Sequence, residues 1–386
     1  MQGLMQDYPL TLTHLFDRAE RLFPHKGIVT ALPTGKVRTT YGEWAERTRR
    51  LGGVLDDLGI SEDGRVATFC WNTSRHLELY FAAPCSGRVA HTLNLRLFPE
   101  QVTYIVNHAE DEVIFVDKTV AGLIWPLLGT FETVRHIVVI DDGGPFDTTQ
   151  GVPEGIQLHD YEELLAAASP VQWPLLDDEN RAASMCYTSG TTGNPKGVVY
   201  SHRSSVLHAF GAMFADGFGG RERDRLLPVV PMFHASAWGI THAAVGCGAD
   251  LIMPGPDLSP PAIADLIESE KVTVAAGVPT IWMGLLPALK GRDTSSLRLV
   301  ACGGSAVPAA LSEGFREQVG IPIYQAWGMT ETSPVATVGT LPSILDDASE
   351  EVKISYRATQ GLPILGVELR IADQTTGEVL PWDGKA

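Results

Sequence analysis

Short apolar runs alternate with helical stretches along most of this chain, and that alternation restricts its fold more than any other feature. Arg65–Cys70, Val89–Leu93, Glu112–Asp117 and Val134–Asp141 read as strands, with His76–Pro84 and Pro99–His108 as helices between them. After a Pro- and Asp-rich stretch near 169–180 the pattern resumes. Ser184–Thr188, Arg225–Val230, Asp250–Met253, Val272–Ala276, Leu297–Ala301 and Ile321–Gln325 are strand candidates, and Ser204–Ala215, Pro261–Glu270 and Ala309–Val319 helix candidates. Strands alternating with helices predict an α/β protein whose layers contain mainly parallel sheets.

The ends read differently. A helix is expected around Leu12–Phe23, then a short hairpin turning at Pro33-Thr34-Gly35. Thr40 and Glu43 have capping-box spacing ahead of a helix carrying Trp44, Leu51, Leu55 and Leu58, which Gly59 ends. Val367–Ala372 and Glu378–Leu380 are expected to pair as a hairpin around Thr376-Gly377. The fold expected is therefore two βα-layered subdomains with a smaller β-rich piece near the C-terminus. No internal repeat or low-complexity tract interrupts it.

With 386 residues, the chain has length for two or three packing units at about 150 residues each. An apolar share of 44% against 19% charged residues supports a substantial core. No apolar run approaches the roughly 20 residues of a membrane span, and no secretory leader is visible. A soluble, cytoplasmic protein is expected. The net charge of −17 argues against a nucleic-acid surface, although one local site can still be electropositive. Cys70, Cys85, Cys186, Cys247 and Cys302 are scattered, with neither a CxxC pair nor zinc-finger spacing, so free thiols are expected.

The segment Tyr187-Thr188-Ser189-Gly190-Thr191-Thr192-Gly193-Asn194-Pro195-Lys196-Gly197 carries the most chemistry. It packs four aliphatic hydroxyls, three glycines and one lysine into eleven residues. Glycines let backbone amides turn toward an anion, hydroxyls add donors and lysine adds a point charge, which is what a polyphosphate cradle needs. A Walker A loop is excluded because Lys196 sits between Pro195 and Gly197. A second segment, Gln325-Ala326-Trp327-Gly328-Met329-Thr330-Glu331-Thr332, offers an aromatic face for a purine at Trp327 and a backbone at Gly328 that a base can approach. Thr330 can donate to a phosphate, and Glu331 is a hard oxygen donor suited to Mg²⁺. Taken alone, Glu331 reads as a solvated carboxylate. A third segment is Pro231-Met232-Phe233-His234-Ala235-Ser236-Ala237-Trp238, whose His234 and Trp238, taken alone, read as core residues.

Together these segments resemble the adenylate-forming superfamily of acyl-CoA synthetases, luciferases and peptide-synthetase adenylation domains. Asn107-His108-Ala109-Glu110-Asp111, Gly197–His202 and Gly277-Val278-Pro279-Thr280 extend the likeness to medium- and long-chain fatty-acid–CoA ligases over nearly the whole chain. The resemblance implies layered βα subdomains plus a small, distorted β-barrel-like piece. It makes Thr188 and Glu331 the Mg²⁺ ligands, and Thr188, Glu331, Lys196 and His234 the residues that carry the reaction. Ser189, Gly190, Thr191, Thr192 and Gly193 would bind the β- and γ-phosphates. Gly304, Ser305, Gln325, Ala326, Trp327, Gly328 and Thr330 would seat the rest of ATP, with Gly303-Gly304-Ser305-Ala306 as an adenosine-contacting turn. His234, Ala235 and Trp238 would border the acid pocket. Family members usually carry Tyr where this chain has Trp327, so a hydroxyl is lost while the stacking face survives.

The implied reaction joins a carboxylic acid to ATP, giving acyl-AMP and pyrophosphate, after which the thiol of coenzyme A displaces AMP. Related ligases also imply a homodimer. The family's later Gly-Glu-Leu segment, its ribose-holding aspartate, hinge and C-terminal lid have no counterpart here. Residues 1–386 are thus expected to be the large AMP-binding domain, incomplete at its C-terminal end and inactive or weakly active alone. Two other readings stay open: a ligase for an aryl, short-chain or sulfur-containing acid, and a non-catalytic nucleotide- or acyl-binding protein. A Rossmann dehydrogenase is disfavoured because Gly246-Cys247-Gly248 lacks the third glycine.

Overall fold

The computed structural model describes residues 1, 3–188 and 193–381, and it is built on two sheets. The nine-stranded sheet runs in the order Leu362–Pro363, Val335–Val338, Ile323–Gly328, Leu299–Cys302, Val274–Gly277, Arg225–Pro228, Asp250–Met253, Gly27–Leu32, Gly35–Thr40. The seven-stranded sheet runs Gln157–Asp160, His136–Ile140, Asp111–Asp117, Arg65–Phe69, Val89–Thr92, Ala182–Thr188, Lys196–Ser201. Interior pairings are parallel in both; antiparallel pairs occur at the edges. This is the α/β layering expected from the sequence.

The chain does not complete one sheet before starting the next. Its opening hairpin, Gly27–Leu32 with Gly35–Thr40, belongs to the nine-stranded sheet, and the chain then builds the entire seven-stranded sheet before returning. The Pro- and Asp-rich stretch near 169–180 accordingly lies within one layer, because Ala182–Thr188 pairs with Val89–Thr92 ahead of it.

Helix Ser74–Cys85 lies between the sheets. Leu77, Tyr80 and Phe81 join the cluster that contains Leu226 and Val274, whereas Leu79, Ala82 and Ala83 join Val66 and Val113. A helix packed on both sides has to be apolar nearly all round. Its one buried acid, Glu78, is paired with the Arg47 guanidinium at 2.7 Å and accepts a hydrogen bond from the Tyr161 hydroxyl at 2.5 Å.

Local signals placed several elements closely. The Thr40–Glu43 capping box forms as expected and starts helix Tyr41–Asp57. Helix Ala309–Val319 fills its expected span between Pro308 and the left-handed Gly320. Near the C-terminus, Ile323–Gly328, Val335–Val338 and Leu362–Pro363 add antiparallel strands to the nine-stranded sheet, and no closed barrel forms among the described residues. The hairpin expected at Val367–Ala372 and Glu378–Leu380 reduces to the single bridge Ala372–Val379 around a turn. With Asp373 accepting amides from Thr375 and Thr376, the polar turn is well made, but its flanks bury too little to extend the ladder.

Candidate active site

Three chain segments, joined by Gly304 from a fourth, meet around a cavity of about 760 Å³. The first is the hairpin of Ala182–Thr188 and Lys196–Ser201, in which Thr188 pairs directly with Lys196, so hydroxyl and ammonium leave the sheet at the same level. Both line the cavity. Ser189, Gly190, Thr191 and Thr192 lie outside the described residues. Gly193 turns with φ +107° and has no neighbour within 4 Å of a Cβ position. Below the tip, Tyr187 anchors the hairpin through its hydroxyl, 2.7 Å from His108 Nδ1. A Cβ on Gly197 would press to 3.1 Å from the Tyr187 ring.

The second segment runs from strand Ile323–Gly328 through the turn Thr330–Thr332 into Val335–Val338. Ala326, Trp327, Gly328, Thr330 and Glu331 all face the same cavity. Gly328 has a structural reason of its own: a Cβ there would fall 1.9 Å from the Pro334 carbonyl oxygen. The turn closes as Met329 donates its amide to Thr332 Oγ1 at 2.9 Å and to the Pro334 carbonyl at 3.1 Å. Glu331 is exposed to the cavity, and no cation pairs with it among the described residues.

The third segment follows strand Arg225–Pro228. His234, Ala235 and Trp238 line the cavity. Ala235, Ser236, Ala237 and Trp238 all have positive φ, between 45° and 57°, and Gly239 continues at 67°. A left-handed turn of L-residues costs roughly 1–2 kcal/mol per residue, so packing must impose it. Ser236 and Ala237 are buried, and Gly239 lies so close to His208 that a Cβ would be 2.3 Å from Nδ1. The result points Trp238 at the Gly303-Gly304 turn, where a Cβ on Gly303 would be 3.3 Å from the indole and 2.4 Å from the Ala326 carbonyl. Gly304 completes this wall with φ +82°. Partial desolvation at the cavity wall, followed by the Arg96 charge, lowers the His234 pKa and so favours the uncharged imidazole at neutral pH.

Of the expected site residues within the described chain, Thr188, Lys196, His234, Ala235, Trp238, Gly304, Ala326, Trp327, Gly328, Thr330 and Glu331 share one cavity. Three do not line it. Ser305 is exposed beside Gly304, Gly193 sits at the hairpin tip, and Gln325 is buried with its Oε1 unpartnered.

The sequence reading missed the residues that hold these segments. Asn72 fastens the approach to His234, and Tyr80 donates its hydroxyl to the Met232 carbonyl. His208 Nε2 accepts the Val335 amide at 3.1 Å, and Tyr200 donates to the Thr330 carbonyl at 2.7 Å. Each looks in sequence like an ordinary core residue.

The donor set fits a hard divalent cation. A hydroxyl at Thr188 and an unpaired carboxylate at Glu331 border one cavity, and no group of three or more His, Cys, Asp or Glu forms a closed metal cage among the described residues. Mg²⁺ is commonly held in this way, by one or two protein oxygens completed by water and substrate phosphates.

The model of the family described as AMP-binding enzyme matches residues 16–386. A long-chain-fatty-acid–CoA ligase of Thermus thermophilus is 45% identical over 99% of this chain and 68% of its own. A 3-methylmercaptopropionyl-CoA ligase of Ruegeria lacuscaerulensis is 43% identical over 100% of this chain and 71% of its own. In fold, an anthranilate CoA ligase solved with anthranoyl-AMP superposes with a TM-score of 0.82 at 23% identity, over 99% of this chain and 69% of that one. No helix among the described residues is long and apolar enough to cross a membrane. The chain belongs to the AMP-binding enzyme family.

Proposed function

We propose that this chain is the large, nucleotide-binding portion of an AMP-forming fatty-acid–CoA ligase. The observation that carries this reading is the joining of Thr188, Lys196, Trp327 and Glu331 on the wall of one cavity with His234 and Trp238. Its fatty-acid and sulfur-acid relatives support the reaction class. The carboxylate of the acid attacks the α-phosphorus of ATP and pyrophosphate leaves with the electrons of the broken P–O bond. The thiol of coenzyme A then attacks the acyl carbon, losing its proton, and AMP departs.

No protein nucleophile is required, so positioning and charge neutralisation supply the catalysis of the first step. Trp327 offers its face to the adenine, the Thr330 hydroxyl donates to the α-phosphate, and Lys196 places its charge at the outer phosphates with the loop 188–197. A bound Mg²⁺, held by Thr188 and Glu331, would neutralise phosphate oxygens. The uncharged His234 can donate one hydrogen bond to the incoming acid without a full positive charge that would dull the nucleophile. Trp238 and Ala235 supply the apolar wall for its chain. A cytoplasmic setting is part of the proposal, supported by five thiols that remain free, four of them buried.

Pyrophosphate release across a panel of acids, measured on the intact enzyme that contains this domain, tests the reading. Each methylene that enters an apolar pocket contributes roughly 0.8 kcal/mol, or about fourfold in kcat/KM. A rise of that order along an aliphatic series is expected. Maximal release with 3-methylmercaptopropionate or benzoate would replace the fatty-acid assignment, and nucleotide binding without release under any acid would replace the enzyme.

A further inference from the structure

We infer that Tyr200 is a positioning residue for Glu331, an inference that rests on the reading of Glu331 as an oxygen ligand. Tyr200 lies on the strand that begins with Lys196, opposite Ser184, and is only 5% exposed. Its hydroxyl donates to the Thr330 carbonyl at 2.7 Å, and the Cys186 thiol sits 3.6 Å from the same phenolic oxygen. The Thr330 carbonyl belongs to the peptide unit that leads into Glu331. Fixing that carbonyl fixes the plane from which the Glu331 side chain departs.

The position of this bond gives it consequence. Among the described residues it is the one hydrogen bond between the hairpin 182–201 and the turn 329–335. The hairpin carries Thr188, and the turn carries Glu331. The two oxygen donors come from sequence positions more than a hundred apart, and among the described residues the other polar link nearby, His208 to the Val335 amide, reaches the far end of the turn from the helix that follows the hairpin. A phenylalanine would fill the same core but leave the buried Thr330 carbonyl without its donor. The hydroxyl is therefore what the site requires from position 200.

Two measurements on Tyr200→Phe test this. In the nucleotide-free chain, hydrogen exchange across residues 329–335 should rise about fivefold, the weight of one neutral hydrogen bond. In calorimetric titrations with ATP at stepped Mg²⁺, the Mg²⁺ concentration for half-maximal binding should also rise about fivefold, while adenosine binding stays unchanged. In a Glu331→Ala background the same substitution should leave the Mg²⁺ dependence within about twofold, since a residue acting through Glu331 loses its effect when Glu331 is gone. Unchanged exchange, or an equal Mg²⁺ shift in both backgrounds, overturns the inference. Mg²⁺-dependent ATP binding that Y200F leaves unmoved overturns it alone. ATP binding by the wild-type chain that is indifferent to Mg²⁺ overturns the metal reading of Glu331 and this inference together.

Discussion

Asn72 Oδ1 accepts the Met232 amide at 2.7 Å, and the same carboxamide donates through Nδ2 to the carbonyls of Pro228 and Val230, both at 2.8 Å. One buried side chain that follows a strand of the seven-stranded sheet thereby holds the segment by which the nine-stranded sheet delivers His234. Asn72→Ala strands three buried backbone groups and is expected to cost about 2–4 kcal/mol, read from chemical denaturation. Asn72→Asp should do no better, because a carboxylate oxygen would replace the donor facing two carbonyls. A wild-type midpoint for either variant contradicts this.

The left-handed turn at the acid pocket makes a separate demand at Gly239. Gly239→Ala combines φ +67° with a Cβ placed 2.3 Å from His208 Nδ1. Gly291 has φ +79° and nothing within 4 Å, so Gly291→Ala isolates the conformational part, expected at about 1 kcal/mol. Thermal unfolding should show G239A falling by at least twice the G291A shift. Equal shifts would mean that His208 yields freely.

Acid should weaken the fold over a defined range. Burial lowers His76, His202 and His208 from the ordinary 6.5 to about 4, and His242 to about 3. Below pH 6.5 the unfolded chain takes up protons that these folded residues refuse, so the stability they contribute is complete above pH 6.5 and lost as pH falls toward 4. The thermal midpoint is expected to drop steadily between pH 6.5 and 4.5, and His242→Phe should shallow that slope. A flat profile would contradict the neutral buried state.

At Trp327 the face of the ring is the feature that counts. Base–aromatic stacking contributes about 1–3 kcal/mol, so Trp327→Ala should weaken ATP binding by about tenfold or more. Trp327→Tyr should stay within about threefold, since a stacking surface remains. Equal losses in both variants would locate the adenine elsewhere.

How much was legible in the residues depended on the range over which each signal acts. The Thr40 capping box and the Pro308 and Gly320 boundaries are local, and they placed their helices well. Helices Ile240–Cys247 and Pro279–Ala288 escaped because they are apolar over most of their surface and show no stripe. Helix Glu350–Arg357 is short and polar, and strand Lys196–Ser201 was hidden in the loop motif it completes. Eleven expected site residues share the cavity because they fall in short contiguous segments whose residue types stand out in the sequence. Tyr200, separated from Thr330 by 130 positions, and Asn72, separated from Met232 by 160, carry no comparable local mark. Their roles exist only once the two sheets have come together.

The most direct measurement is a crystal structure of this chain soaked with a non-hydrolysable acyl-adenylate analogue bearing an alkyl chain. The account predicts adenine against Trp327, the phosphate mimic beside Thr330, and the alkyl group running past His234 and Trp238. An analogue bound on any other face, or seated here with its alkyl chain pointing away from Trp238, would contradict it.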